Sequence, residues 1–494
     1  MLFNSIDFLI FFPIVTVLYF AIPHKYRWIF LLAASCIFYM AFIPAYVLFL
    51  FFLIFIDYWA AIFIEKSEEK KRKLFLIASI LSTCSALFIF KYFNFFNVNL
   101  ALVANFFHWN YPVHLLKLVL PIGLSFHTFQ SLSYVIEVYR KKQKTEKNIG
   151  IYALYVMFYP QLVSGPIERP YNLIHQFYEK HYFDYKRVTD GLKLMAWGMF
   201  KKVVIADRLA IFVNQVYNTP NDYSGISLIM ATIFFAYQIF CDFSGYSDIA
   251  IGSAQVMGFK LMNNFTRPYF SKSVSDFWRR WHISLSTWFR DYVYIPLGGS
   301  RVSNLRHYFN LFVSFLVSGL WHGANWTFLI WGALNGIYMI LEAMTVKVRE
   351  KIIWLIKLNK APVLYKIIQV FTTFSLISFS WIFFRANSVN EAFYIIRNLF
   401  TGVPSLFLDL IRNPFAAILE NHNLFVVDQS WYEFIIGVLG IILLEIVHLL
   451  QRKESVRAMI SRSPLLLRWA LYVGIILIIL NFGKVSKPFI YFQF

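Results

Sequence analysis

Two histidines, each directly behind a tryptophan, are the side chains best suited to moving a proton: Trp281-His282 and Trp321-His322, 40 residues apart. The first lies in Asp276-Phe-Trp-Arg-Arg-Trp-His282-Ile-Ser-Leu-Ser-Thr-Trp-Phe-Arg290, the second in Ser318-Gly-Leu-Trp-His322-Gly-Ala-Asn325-Trp. Imidazole titrates near neutrality, so it can accept a proton from an attacking group or donate one to a leaving group. A titratable ring beside an apolar run interrupted by glycine is costly to keep at membrane depth, and such a residue reads as functional by default. The alternative for His282, an interfacial anchor with Trp at the headgroups and Arg on phosphates, accounts for the aromatic residues but gives no reason for the imidazole.

What must position these rings is a chain written for lipid. Of its 494 residues 59% are hydrophobic, 20% aromatic and 15% charged, with a mean hydropathy of +0.58. Soluble domains carry about 25% charged residues. Apolar runs of roughly 18 residues or more recur throughout, which predicts a polytopic all-α membrane protein with roughly 10–13 membrane helices, some broken or re-entrant. A β-barrel is disfavoured because its signature is alternation in short segments. The formal charge of +20 belongs to short loops between spans, as the positive-inside rule requires, and implies no nucleic-acid partner. Cys36, Cys84 and Cys241 lie in apolar stretches without paired spacing, so neither a disulfide nor a metal site is expected. The first residues lack a basic n-region and a cleavage site and read as a retained first span.

Spans are expected near 8–22, 28–43, 45–64, 74–90 and 118–139. Two loops with five Lys/Arg each, Glu65–Lys73 and Arg140–Lys147, place both on the cytoplasmic side, with the N-terminus outside and His24–Arg27 inside. Residues 149–165 should break at Pro160, Gly165 and Pro166 into a turn or re-entrant piece. Residues 171–190 read as interfacial. A span near 191–217 carries Lys201, Lys202 and Asp207. Lys202 and Asp207 are not i,i+4 neighbours, so no pair is inferred and snorkelling lysines are the simpler reading. Cys241-Asp242-Phe-Ser-Gly-Tyr-Ser-Asp248 puts two carboxylates into an apolar segment, either bonded to donors at a helix break or orienting a catalytic histidine.

Ser273-Val-Ser-Asp276 resembles a capping box. The helix it opens would carry Trp278, Trp281, Leu285, Trp288 and Phe289 on one stripe, and Arg279, His282, Ser286 and Arg290 on another face. The 37 apolar residues of 308–344 would reach about 55 Å as one helix, against a hydrocarbon core of about 30 Å. Gly319, Gly323 and Asn325 make a break beside His322 the simplest solution. Further spans are expected at 363–384, 433–450 and 468–483, with 386–432 an external loop. The expected organisation is a single membrane domain over 1–494, with N-terminal spans 1–148, a core at 149–345 holding both histidines, and C-terminal spans 346–494.

Phe158-Tyr-Pro-Gln-Leu-Val-Ser-Gly-Pro166, Asp242-Phe-Ser-Gly-Tyr-Ser-Asp248, Asp276–Ser286, Arg290-Asp-Tyr-Val-Tyr-Ile-Pro-Leu-Gly-Gly299 and Gly319-Leu-Trp-His-Gly-Ala324, in this order, resemble the membrane-bound O-acyltransferase (MBOAT) family, in particular its alginate O-acetyltransferase branch. The resemblance covers nearly the whole chain, including the closing Phe-Ile-Tyr-Phe-Gln-Phe494. It implies the MBOAT fold, membrane helices around a central cavity, with His322 at the central catalytic position and His282 at a second active-site position held by Asn, Asp or His across the family. Around them Arg279, Arg280, Trp278, Trp281, Ser286, Asn325, Asp242 and Tyr246 are candidates to bind the thioester or substrate. The implied chemistry is acyl transfer from a cytoplasmic thioester, acetyl-CoA first, to hydroxyls of an extracytoplasmic polysaccharide such as alginate or peptidoglycan, with no bound cofactor. The implied setting is a bacterial inner membrane, with membrane lipid and an extracytoplasmic acetyltransferase or polysaccharide-export protein as partners. D-Alanyl transfer to teichoic acid, and transport of a lipid or sugar without chemistry, remain open alternatives. A scaffold role in an export complex is compatible with acylation.

Overall fold

The computed structural model of the chain describes residues 1–484 apart from 164, 428 and 453; Ser164 of the Pro-Gln-Leu-Val-Ser-Gly-Pro block and the closing Lys487–Phe494 lie outside the described residues. The described residues form helices joined by short turns, with no strand among them. Eight of these helices are long and apolar enough to cross a membrane, which makes this a multi-pass membrane protein. Apolar side chains that a soluble protein would hide are turned outward, as with Leu466 at 86% exposure on the Leu465–Phe482 helix. In lipid such a surface carries no penalty.

The chain divides into two compact units, Met1–Met195 with Tyr246–Asn263, and Ala196–Gly245 with Asn264–Phe494. In the first, the helices Tyr46–Lys66, Glu69–Leu87 and Leu124–Tyr139 pack mutually. Asp57, a carboxylate within a span, is buried there, and hydroxyls satisfy it: Ser79 donates at 2.6 Å and Thr83 at 3.1 Å. The expected break in 149–165 is present. Ile149–Met157 ends at Phe158 (φ −52°, ψ 111°), and Tyr159–Leu162 starts anew with Pro160 in its first turn, where its missing N–H costs nothing.

The second unit holds both histidines. Its most extensive helix pair is Asn304–His322 with Trp326–Met344, so the expected break falls at Gly323–Asn325. Asn325 caps the second helix by accepting from the Thr327 N–H at 3.1 Å. Gly319 and Gly332 let the two backbones touch. A Cβ at Gly319 would stand 2.4 Å from the Phe328 carbonyl oxygen, and one at Gly332 2.5 Å from that of Phe315. Small residues at a helix crossing serve this purpose in membranes, where burial of apolar surface gives no drive to associate.

Three expectations are corrected. Residues 386–432 are not a plain loop but largely helical, with Val389–Asn398 and Val403–Arg412 the longest pieces; the first buries Ala392 and Ile395, three residues apart on one face. The lysines of 191–217 do not snorkel. Lys201 and Lys202 are 4% and 1% exposed, and Lys202 does pair with Asp207, Nζ to Oδ1 2.8 Å. The cause is a π-helical turn at Lys201–Ala206, in which the Asp207 N–H bonds to the Lys202 carbonyl, so that residues five apart, not four, stack. Finally, Asp242–Asp248 runs through the middle of an unbroken helix, Ile226–Met257, rather than at a break.

Candidate active site

The helix that opens at Val274 starts as expected, with the Ser273 hydroxyl accepting from the Asp276 N–H at 3.2 Å. It does not continue through His282. It stops at Trp278, and a second helix runs from Ile283 to Phe289. Between them His282 takes up the left-handed region, φ 43°, ψ 55°. That conformation costs an L-residue roughly 1–2 kcal/mol. Nothing in Arg-Arg-Trp-His is a helix breaker; the break is imposed by an upstream segment. The Thr266 N–H donates to the Arg280 carbonyl at 2.9 Å, and the Ile283 N–H to the Asn264 carbonyl at 3.0 Å. The Asn264 side-chain oxygen also accepts from the Ser284 hydroxyl (2.7 Å) and N–H (3.3 Å). His282 is therefore held on both sides by Asn264–Thr266.

This turn also corrects the expected faces. The continuous helix would have set His282 beside Arg279 and Arg290. Instead His282 is 1% exposed, while Arg279 and Arg290 are exposed. Trp281, Leu285, Trp288 and Phe289 are buried, so the aromatic stripe packs within the protein rather than anchoring it at headgroups.

The two imidazoles share one neighbour. The Trp321 ring lies 4.8 Å from that of His322 and 6.3 Å from that of His282, centroid to centroid. His322, at the last position of its helix and 5% exposed, has two further walls, Trp331 at 4.9 Å and Phe384 at 5.1 Å, both edge-on. Trp381 stacks on Trp331 one helical turn before Phe384. His282 also meets Phe243, edge-on at 4.5 Å. The result is two buried imidazoles in an aromatic setting, where charge developing on a substrate would be felt strongly because little water screens it. Sequence reading missed Phe243, Trp331, Trp381 and Phe384 as walls, and Asn264 as the clamp. Helical spacing from His322 (Trp331 nine residues on) offered only a weak signal.

Among the other candidates, Trp278 lies 5.7 Å from Trp331 and so backs a wall of His322. Trp281 stacks on Phe277 and meets Trp381. Ser286 turns back, its hydroxyl donating to the Trp281 carbonyl at 3.1 Å while its N–H bonds the His282 carbonyl. Asn325 caps the helix after the break and donates to the Asn387 carbonyl at 3.3 Å. Asp242 is ion-paired with Lys202, Oδ1 to Nζ 2.6 Å. Tyr246 belongs to the first unit, where its hydroxyl donates to the Asn4 side-chain oxygen and its ring faces Phe3. Arg280 is paired to Asp276 at 2.8 Å.

Arg280 is one of a group of cations. Ring contacts of Phe270 with His448 (6.2 Å) and of Tyr269 with Phe374 (5.2 Å) bring the Arg267–Lys272 turn against the two helices that carry Arg452 and Lys366 at or just past their ends. Burial, and then the charges of Arg280 and Arg452, hold the Arg267 guanidinium below its ordinary value. The charges acting most strongly on Lys366 are Arg452, Lys272 and Arg280. Such a concentration of positive charge favours a polyanion.

An all-helical, multi-pass protein with paired buried histidines is the class that fold and site define. The chain matches the model of the MBOAT, membrane-bound O-acyltransferase family, over residues 87–388. It is 37% identical over 405 residues to the probable alginate O-acetylase AlgI of Pseudomonas aeruginosa, covering 81% of this chain and 75% of that one. It is 34% identical over 396 residues to the peptidoglycan O-acetyltransferase of Helicobacter pylori (75% and 73%), and 28% identical over 263 residues to the teichoic acid D-alanyltransferase of Bacillus subtilis (50% and 64%). The chain belongs to the membrane-bound O-acyltransferase family and is an O-acyltransferase.

Replacing Asn264 with Ala removes the acceptor of two Ser284 donors, and losing such a buried bond costs about 1–3 kcal/mol. A lower melting temperature in detergent is expected together with reduced turnover, because the segment after His282 loses its side-chain tether and keeps only the backbone bond from the Ile283 N–H to residue 264. A variant with full turnover and unchanged melting would show that the clamp does not hold the ring.

Proposed function

We propose that this chain transfers an acetyl group from acetyl-CoA on the cytoplasmic side of a bacterial inner membrane to hydroxyls of an extracytoplasmic polysaccharide of the alginate or peptidoglycan type, directly or through a partner acetyltransferase or export protein. The observation that carries the reading is the placing of two buried imidazoles against one tryptophan ring. The activities for which the Pseudomonas and Helicobacter relatives are named support acetyl as the group and a polysaccharide as the acceptor. The D-alanyl alternative has weaker support, at lower identity over half of the chain.

His322 takes the proton of the acceptor hydroxyl as its oxygen bonds to the thioester carbon. The carbon–sulfur bond breaks, and the proton passes on to the departing thiolate. His282 orients the thioester or donates to the oxyanion that develops. Trp321, Trp331 and Phe384 keep out water that would hydrolyse the thioester. The cations Arg267, Lys272, Arg280, Lys366 and Arg452, with exposed Arg279, meet the phosphates of the donor.

Protein purified into lipid discs and given acetyl-labelled acetyl-CoA should release free thiol faster when oligosaccharide is added, with label appearing on sugar hydroxyls. Consumption of a D-alanyl carrier thioester instead would move the assignment to the alternative. No consumption of either donor, with or without a partner protein, would end it.

A further inference from the structure

Lys201, Lys202, Asp207 and Asp242, each 5% exposed or less, form a charged cluster inside the second unit without a part in the chemistry above. Their sum is neutral, as burial of charge demands. The π-helical turn aims both lysines inward. Lys202 Nζ lies 2.8 Å from Asp207 Oδ1 and 2.6 Å from Asp242 Oδ1. Lys201 Nζ donates to the Ser244 hydroxyl at 2.9 Å and lies over the Phe240 ring at 5.9 Å. Gly245 admits the turn to the long helix: a Cβ there would stand 2.7 Å from the Gly198 carbonyl oxygen and 3.2 Å from the Lys202 nitrogen.

The turn is itself braced from behind. The Lys484 N–H donates to the Val203 carbonyl at 3.0 Å, Arg208 donates to the Phe482 carbonyl at 2.6 Å, and Glu433 takes both Arg208 and Lys484. Lysines 201 and 202 thus act on the long helix from a fixed base. They grip it at Asp242 and Ser244, on either side of Phe243, and Phe243 is the ring set edge-on to His282 at 4.5 Å.

We propose that the Lys202–Asp242 ion pair is a positioning device for His282, fixing Phe243 so that its edge-on ring holds the imidazole in place; this rests on the reading that His282 takes part in acyl transfer. Asp207 supplies an internal control. It binds the same ammonium at nearly the same distance, but its backbone leads into the Asp207–Asn218 helix and not to Phe243.

The test compares Asp242→Asn with Asp207→Asn in the full-length protein, alongside Phe243→Leu, the Asp242→Asn/Phe243→Leu double variant, and His282→Ala. Each is measured by melting temperature in detergent and by kcat and KM per folded molecule in the thioester assay. Asp242→Asn should lower kcat on the order of 10- to 100-fold, the loss that a small displacement of a reacting group brings, with KM changed by less than about twofold. Asp207→Asn should destabilise similarly with kcat lowered by less than about threefold. The double variant should be no slower than the worse single one, since both changes act through one ring. Equal kcat losses for the two Asn variants, no loss in either, or additive losses in the double would overturn the proposal. If Asp242→Asn does not fold, Phe243→Leu decides, and an unchanged kcat overturns it. His282→Ala separates the two readings: an active His282→Ala removes His282 from the site, whereas an inactive one with an unchanged Asp242→Asn removes the positioning role alone.

Discussion

Replacing His322 with Ala is expected to abolish acyl transfer while the protein still inserts, purifies and stays monodisperse. The loss of a general base costs roughly 10²- to 10⁴-fold, which in this assay leaves the rate at background. The structure gives the reason to expect folding to survive. His322 is the last residue of its helix, and the turn that follows is made by Gly323 and the Asn325 cap, neither of which needs the imidazole. The helix pair is held by backbone contact at Gly319 and Gly332, neither of which involves the imidazole. The cavity left among Trp321, Trp331 and Phe384 lowers stability without removing any of these supports. His322→Gln, which keeps a polar group but cannot take the proton, should be as inactive as Ala. Turnover per folded molecule at the wild-type rate in either variant would show that another group accepts the proton.

How far such a site can be read from sequence depends on what causes each local structure. The break after His322 was legible because its cause is local: 37 apolar residues exceed the membrane, and Gly323 and Asn325 stand where a turn and a cap are needed. The broken segment at 149–165 was legible for the same reason, through Pro160. The turn at His282 was not, because its partners, Asn264 and Thr266, come from 16 to 18 residues upstream and compete with helical bonds that Arg-Arg-Trp-His would otherwise make. A 3.6-residue period applied across that turn put His282 on an exposed face with Arg279, when it is buried. The Lys202–Asp207 pair was missed through the opposite error. The segment is helical, but one π-turn changes the spacing from four to five. In both cases the residue types were read correctly, and a single departure from α-geometry, set by tertiary contacts, decided where they point. The walls Phe243 and Phe384 come from helices distant in sequence, and no spacing rule within a 56-phenylalanine chain singles them out.

His282→Gly and His282→Asn distinguish what that second imidazole does. Gly takes φ 43° freely and relieves the strain of roughly 1–2 kcal/mol that the left-handed conformation imposes, so the turn survives and only the ring is lost. If His282 orients the thioester or donates to its oxyanion, kcat should fall about 10²- to 10³-fold, as when one such donor is removed. Asn is the informative substitution. It tolerates the left-handed region better than most residues and its amide can donate a hydrogen bond, but it cannot relay a proton. Donation therefore predicts that Asn recovers a large part of what Gly loses, whereas a proton-transfer role predicts that Asn is as slow as Gly. Because Gly keeps the backbone that Asn264 and Thr266 clamp, the comparison is between two properly turned chains that differ in one hydrogen-bond donor. Single-turnover rates at saturating thioester make it independent of donor affinity. Wild-type rates in His282→Gly would place the imidazole outside the reaction, leaving Trp321 between one working histidine and one that merely fills space.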